Sequence, residues 1–143
     1  MTKAAALYKF YSSFGLPAFE ENSVPSNADS ATVTYPDELD VHYYGGVDGE
    51  YPYLTYELIT DSFGTEIPLS FSIWYRSESW TAANAKEKEI SAAIGRGGKI
   101  LPCDGGAIWL KRGAPFAQRM GDDSGKDVKR IYFNISAEFI TAD

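Results

Sequence analysis

Few stretches of this sequence carry residues that could do chemistry, and the densest is WLKRGAPFAQRMGDDSG, from Trp109 to Gly125. Its arginines could clamp an anion, its paired aspartates could act as acid and base, and its apolar residues could grip a partner. Catalysis needs more. The chain has one histidine, His42, and one cysteine, Cys103, so an ordinary Cys/His zinc site within one chain is excluded. His42 lies in a segment without clear periodicity, and nothing around Cys103 favours a thiolate. Asp122 and Asp123 sit in polar surroundings that would not raise a carboxyl pKa. Asp37, Glu38, Asp40, Asp48 and Glu50 could gather around a cation but lack the ordered spacing of a calcium loop. The glycine run GRGGK (Gly95–Lys99) invites a phosphate-loop reading. Such a loop needs Ser or Thr after its lysine and a helix beginning there, whereas Ile100 follows and the glycines end a helix. The sequence therefore predicts no enzyme, and no cofactor or metal.

What remains is aromatic residues beside arginines. IWYRSESW places Trp74, Arg76 and Trp80 at the junction of a strand and a helix. The stretch from Trp109 onward adds Arg112, Phe116, Arg119 and Met120, followed by Asp122 and Asp123. Trp, Tyr and Arg are the types that most often anchor interfaces. Tryptophans in the core with arginines paired to nearby acids would explain any single member. Their recurrence at element ends makes these nine residues the candidate subunit or partner interface.

The elements that must position them can be read from periodicity. Thr2 can cap a helix whose buried face is Leu7, Phe10, Tyr11 and Phe14, stopped by Gly15 and Pro17. Residues 18–52 read as loop by composition, with a short strand over Ala31–Tyr35. Two strands follow around the turn Asp61–Gly64, an expected antiparallel hairpin, the second carrying Ile67, Leu69, Phe71, Ile73 and Tyr75 on one face. Pro68 suggests an edge or an irregular start. Ser79 or Thr81 can cap a second helix with Ala83, Ile90, Ala93 and Ile94 inside. Strands over Lys99–Pro102 and Ala107–Lys111 come next, then a docking loop, RGAPFAQRMGDD. A last strand has Ile131, Phe133, Ile135, Ala137 and Phe139 on one face. The expectation is an α+β fold: a single domain over 1–143, with a mainly antiparallel β-sheet and an N-terminal and a central helix packed on one face.

Composition narrows the function classes. A net charge of −7 argues against binding nucleic acid through a broad basic face. Residues 1–75 hold two lysines and no arginine against eleven acids, a balance of −9, while residues 76–143 hold eleven basic residues against nine acids, a balance of +2. Chance plus one acidic loop would explain the split. So would a subunit with oppositely charged faces, which suits head-to-tail association into a ring. The aromatic content of 15% fits either a rich core or an assembly surface. With no leader pattern and no long apolar run, the expectation is a soluble protein made in a cytoplasm, with no membrane partner.

Several of these strings together resemble small tail proteins of long-tailed bacteriophages and prophages. They are GLPAFEENSVP after the first helix, PYLTYELITDSFG, SIWYRSESW, KEKEISAAIGRGG, GGAIWLKRGAPFAQRMGDD and RIYFNISAEFITAD. Among such proteins they resemble the tail terminator or tail-completion family, the tail-to-head joining proteins. The similarity spans nearly the whole chain except residues 26–51, which read as an acidic loop or insertion. The resemblance implies a structural virion protein at the head-proximal end of the tail. Its copies would form a ring, expected to be a hexamer, that caps the tail tube and binds the tube protein and a head-completion protein. DNA would meet it only in transit through the lumen, where a net-acidic wall repels phosphate and lets the duplex slide. A head-completion or connector protein, or another minor tail protein, is the alternative within the same setting. A small acidic ligand- or metal-binding module is the alternative outside it.

Overall fold

The computed structural model describes residues 1–20, 31–34, 40–43, 51–60, 66–120 and 127–141. Helix α1 (Lys3–Ser12) begins as its sequence predicts, with Thr2 Oγ1 accepting the Ala5 N–H at 3.1 Å. That bond satisfies one of the donors a helix start leaves open and contributes about 1 kcal/mol. Leu7, Phe10 and Tyr11 are buried along one stripe, and Phe14 is buried just past the helix end. Each such side chain contributes about 1.5–3 kcal/mol through removal from water.

Among the described residues, eight strands follow in the order β1 (Ala18–Glu20), β2 (Ala31–Thr34), β3 (Asp40–Tyr43), β4 (Tyr53–Tyr56), β5 (Ile67–Arg76), then helix α2 (Thr81–Ile94), β6 (Lys99–Cys103), β7 (Gly106–Met120) and β8 (Val128–Thr141). Six of them form one mixed sheet in the order β1-β4-β5-β8-β7-β6, antiparallel except for the parallel β1–β4 pair. β2 and β3 pair with each other as a separate antiparallel ladder. This is the α+β fold with a mainly antiparallel sheet that the residue pattern predicts. The sheet curls so far that α1 touches both of its edge strands, β1 and β6. α2 packs along β5, β7 and β8, and both helices bury their apolar residues in one continuous core.

Residues opposite one another in a ladder share a face, so the register sorts the sheet into rows. Inner rows run Tyr56–Phe71–Phe133–Ala117 and Leu54–Ile73–Ile131–Arg119. Phe71 and Phe133 stack at 4.6 Å between ring centres at the middle of the core. Pro68 lies on β5 beyond the last β4 pair, opposite Ser136 of β8, so its missing N–H interrupts no ladder on the β4 side. The expected turn Asp61–Gly64 lies outside the described residues, but the β4–β5 pairing it would close is antiparallel as expected.

Four expectations need correction. Ala18–Glu20 and Asp40–Tyr43, which read as loop, are strands: the first pairs in parallel with β4, where Ala18 and Phe19 are buried, and the second pairs antiparallel with β2. α2 is capped by neither Ser79 nor Thr81. Trp80 occupies the cap position without a side-chain bond, Thr81 is already helical, and Ser79 Oγ takes the Thr81 N–H at 3.1 Å. Ala93 is exposed, while Lys86 turns inward to donate to the Phe14 carbonyl at 2.7 Å, tying α2 to the end of α1.

The fourth correction concerns the docking loop. RGAPFAQRM is not a loop: β7 continues to Met120 and pairs with β8 along most of its length. Between Arg112 and Ala117 the register slips, five residues along β7 covering two along β8. Pro115 falls in this bulge, where no ladder bond is asked of it. Asn134 Nδ2 donates to the Pro115 carbonyl at 3.2 Å and pins the bulge, and a Cβ at Gly113 would lie 2.8 Å from the Asn134 carbonyl oxygen. Only glycine allows that approach.

Candidate interaction surface

The register divides the predicted interface residues between the two faces of the sheet. Arg112 stands opposite Ile135 and Arg119 opposite Ile131, so both lie on the inner face at its β7 end, beside α2. Arg112 donates to the Ser91 carbonyl at 2.7 Å, in the last turn of α2, where a cation also meets the negative end of the helix dipole. Its guanidinium lies 5.7 Å from the centre of the Phe116 ring, which in turn packs edge-on against Phe133. Arg119 donates to Asn84 Oδ1 at 3.2 Å and lies 4.7 Å over the Trp80 ring. The two arginines thus hold α2 at both ends, with Trp80 and Phe116 as apolar seats. Each contact is solvent-exposed and contributes about 0.5–1 kcal/mol.

Trp74, Arg76 and Met120 lie on the opposite, outer face, and among the described residues neither α1 nor α2 lies on it. One row crosses four strands as Tyr53–Trp74–Arg130–Met120. The next runs Thr55–Ser72–Tyr132–Gln118. Trp74 Nε1 donates to Thr55 Oγ1 at 2.9 Å, which fixes the indole, and Tyr53 stacks on it at 6.0 Å. Arg76 reaches Asp127 at 3.5 Å and lies 4.9 Å from the Tyr51 ring. Asp122 and Asp123 lie outside the described residues.

At the far end of the outer face, Lys111 pairs with Glu66, approaches Glu138 at 3.8 Å, and lies 3.8 Å over the Trp109 ring. The Lys111 and Ser136 hydrogen bonds, with the lysine's charge, hold the Glu66 carboxyl below the usual glutamate range. Trp109 Nε1 donates to the Gly97 carbonyl at 2.9 Å. The glycine run therefore has a structural role: it ends α2 and lets the indole close over the turn.

Two features escaped the sequence reading. Arg130, placed by alternation on the polar face of the last strand, is the centre of the outer aromatic row. Its signal was present, since Trp74 and Tyr132 are both outward in the predicted strands, but only register puts them side by side. The second is a cavity of about 580 Å³ between α1 and β6, lined by Met1, Phe10, Ile100 and Pro102 with Lys9 and Lys99 at its rim. Among the described residues, no three His, Cys, Asp or Glu side chains gather as a metal-binding set.

Compared with protein-family models and with curated proteins, the chain matches none.

Proposed function

We propose that this chain is a structural, self-associating protein of the tail of a long-tailed bacteriophage, most specifically the terminator that caps the tail tube and joins tail to head. The observation that carries the reading is the meeting of its two most distinctive strings. SIWYRSESW and RGAPFAQRM come together where Arg119 covers Trp80, at the junction of β5, α2 and β7. Strings on which the family resemblance rests thus form one structural unit with an exposed rim. The outer face supports the reading as a contact surface, because it places Trp74, Arg130 and Met120 in one row. Charge supports it too: halves of −9 and +2 suit a heterologous contact repeated around a ring.

The test is made on particles. Analytical ultracentrifugation of the purified protein, alone and with tail tubes, is expected to give a ring-sized species in at least one condition. Immunogold labelling of tails is expected at the head-proximal end. A protein that stays monomeric with tubes present and is absent from tails would overturn the proposal. Labelling at the portal of tailless heads would move the ring to the head side of the joint.

A further inference from the structure

Arg130 is held as a receptor is held, and its charge has no partner of its own chain among the described residues. The guanidinium lies 4.6 Å over the Trp74 ring and 5.6 Å from the Tyr132 ring, and Nε donates to Ser72 Oγ at 3.1 Å. Ser72 is fully buried, and Trp74 is itself fixed by Thr55, so the plane of the guanidinium is set from beneath. Its neighbours on this face are served differently: Arg76 has Asp127, and Lys111 has Glu66 and Glu138. Among the described residues, no carboxylate lies within ion-pair distance of Arg130 and its two terminal nitrogens make no hydrogen bond.

A guanidinium presents a planar fork that matches a carboxylate through two parallel hydrogen bonds, and aromatic stacking lowers the entropy lost on forming them. A half-buried arginine with Nε engaged and the other donors open is preorganised for such a pair. We propose that Arg130, with Trp74 and Tyr132, is a carboxylate-binding site on the outer face, and that the carboxylate comes from the acid-rich first half of a second copy of this chain. Charge complementarity selects that occupant, since residues 1–75 carry eleven acids against two lysines. A contact between unlike surfaces, repeated head to tail, leaves no Arg130 unused once a ring closes. The inference rests on the self-association proposed above and adds the residue that makes it.

The test uses the full chain and three substitutions, Arg130→Gln, Arg130→Lys and, as a control, Arg96→Gln, with folding checked by circular dichroism. The probe is a synthetic peptide of the sequence of residues 36–50, followed by tryptophan fluorescence, beside an analogue with Asn and Gln for every acid. Binding of the acidic peptide is expected to weaken as salt rises and to fall at least tenfold in Arg130→Gln. Arg130→Lys should retain part of it, Arg96→Gln all of it, and the neutral analogue should not bind. Self-association by ultracentrifugation should fall in parallel. If the folded Arg130→Gln protein binds the peptide and self-associates as the parent does, this site is wrong while self-association stands. If the parent never self-associates, alone or with tail tubes, both proposals fall.

Discussion

Replacing Gly98 by alanine tests whether the glycine run serves the fold. Gly98 has φ +89°, a conformation that costs an L residue about 1–2 kcal/mol. An added Cβ would also lie 2.5 Å from Trp109 Nε1 and collide with the Leu110 carbonyl, which β7 holds in place. The cheapest relief is to push the indole away, which gives up its bond to the Gly97 carbonyl, worth about 1 kcal/mol, and uncovers the ring. The expected loss is about 2–4 kcal/mol, a melting temperature lower by about 5–15 °C for a chain near this size. Gly97, one residue earlier, is the control: a Cβ there meets nothing within 4 Å, so Gly97→Ala should stay within about 0.5 kcal/mol of the parent. Urea unfolding followed by tryptophan fluorescence measures both. Equal stability of Gly98→Ala and the parent, or equal damage from the two substitutions, would refute the reasoning. So would stabilisation of the parent by nucleotide or inorganic phosphate that either substitution abolishes, which would return the run to ligand binding.

Phe133→Ala should cost about 3–5 kcal/mol, because Phe133 is fully buried between Phe71 and Phe116; calorimetry on the purified variant reads it directly. Arg112→Ala and Arg119→Ala should each cost about 0.5–1 kcal/mol, and their effects should add, since they hold opposite ends of α2; denaturant midpoints of the singles and the double check both points. The Glu66 carboxyl is held below its usual range in the folded state, so its tie to Lys111 and Ser136 stabilises at neutral pH. That contribution is present above the unfolded glutamate pKa and fades as pH falls through the lower folded value. Glu66→Gln should therefore melt below the parent at pH 7 and converge with it in strong acid, a difference that persisted there being evidence against the tie.

The sequence carried the elements better than their junctions. Alternation in Ile67–Tyr75 and Ile131–Phe139 set which residues face the core, and β5 and β8 keep that assignment. The i, i+3, i+4, i+7 spacing of α1 did the same for Leu7, Phe10, Tyr11 and Phe14. Gly113 and Pro115 misled because they are loop residues by local preference, while the bulge that accommodates them depends on Asn134 of another strand. The direction of Arg112 and Arg119 was illegible for the same reason. Which face a side chain takes beyond a bulge is a matter of register, and register is a pairwise property that one strand's sequence does not carry. Arg130 shows the converse: its residue type was unremarkable until Trp74 arrived beside it from β5.

The contact of α1 with both edges of the curled sheet has a kinetic consequence. Helix α1 can flicker into being within microseconds from its own local bonds, yet its seat is assembled from β1, a few residues away, and β6, most of the chain later. Docking must wait for that distant strand, so the first helix written is among the last to be locked. Interactions absent from the folding transition state govern how slowly a protein opens. Substitutions at the α1–β6 seam should therefore change the lifetime of the folded molecule more than its speed of folding.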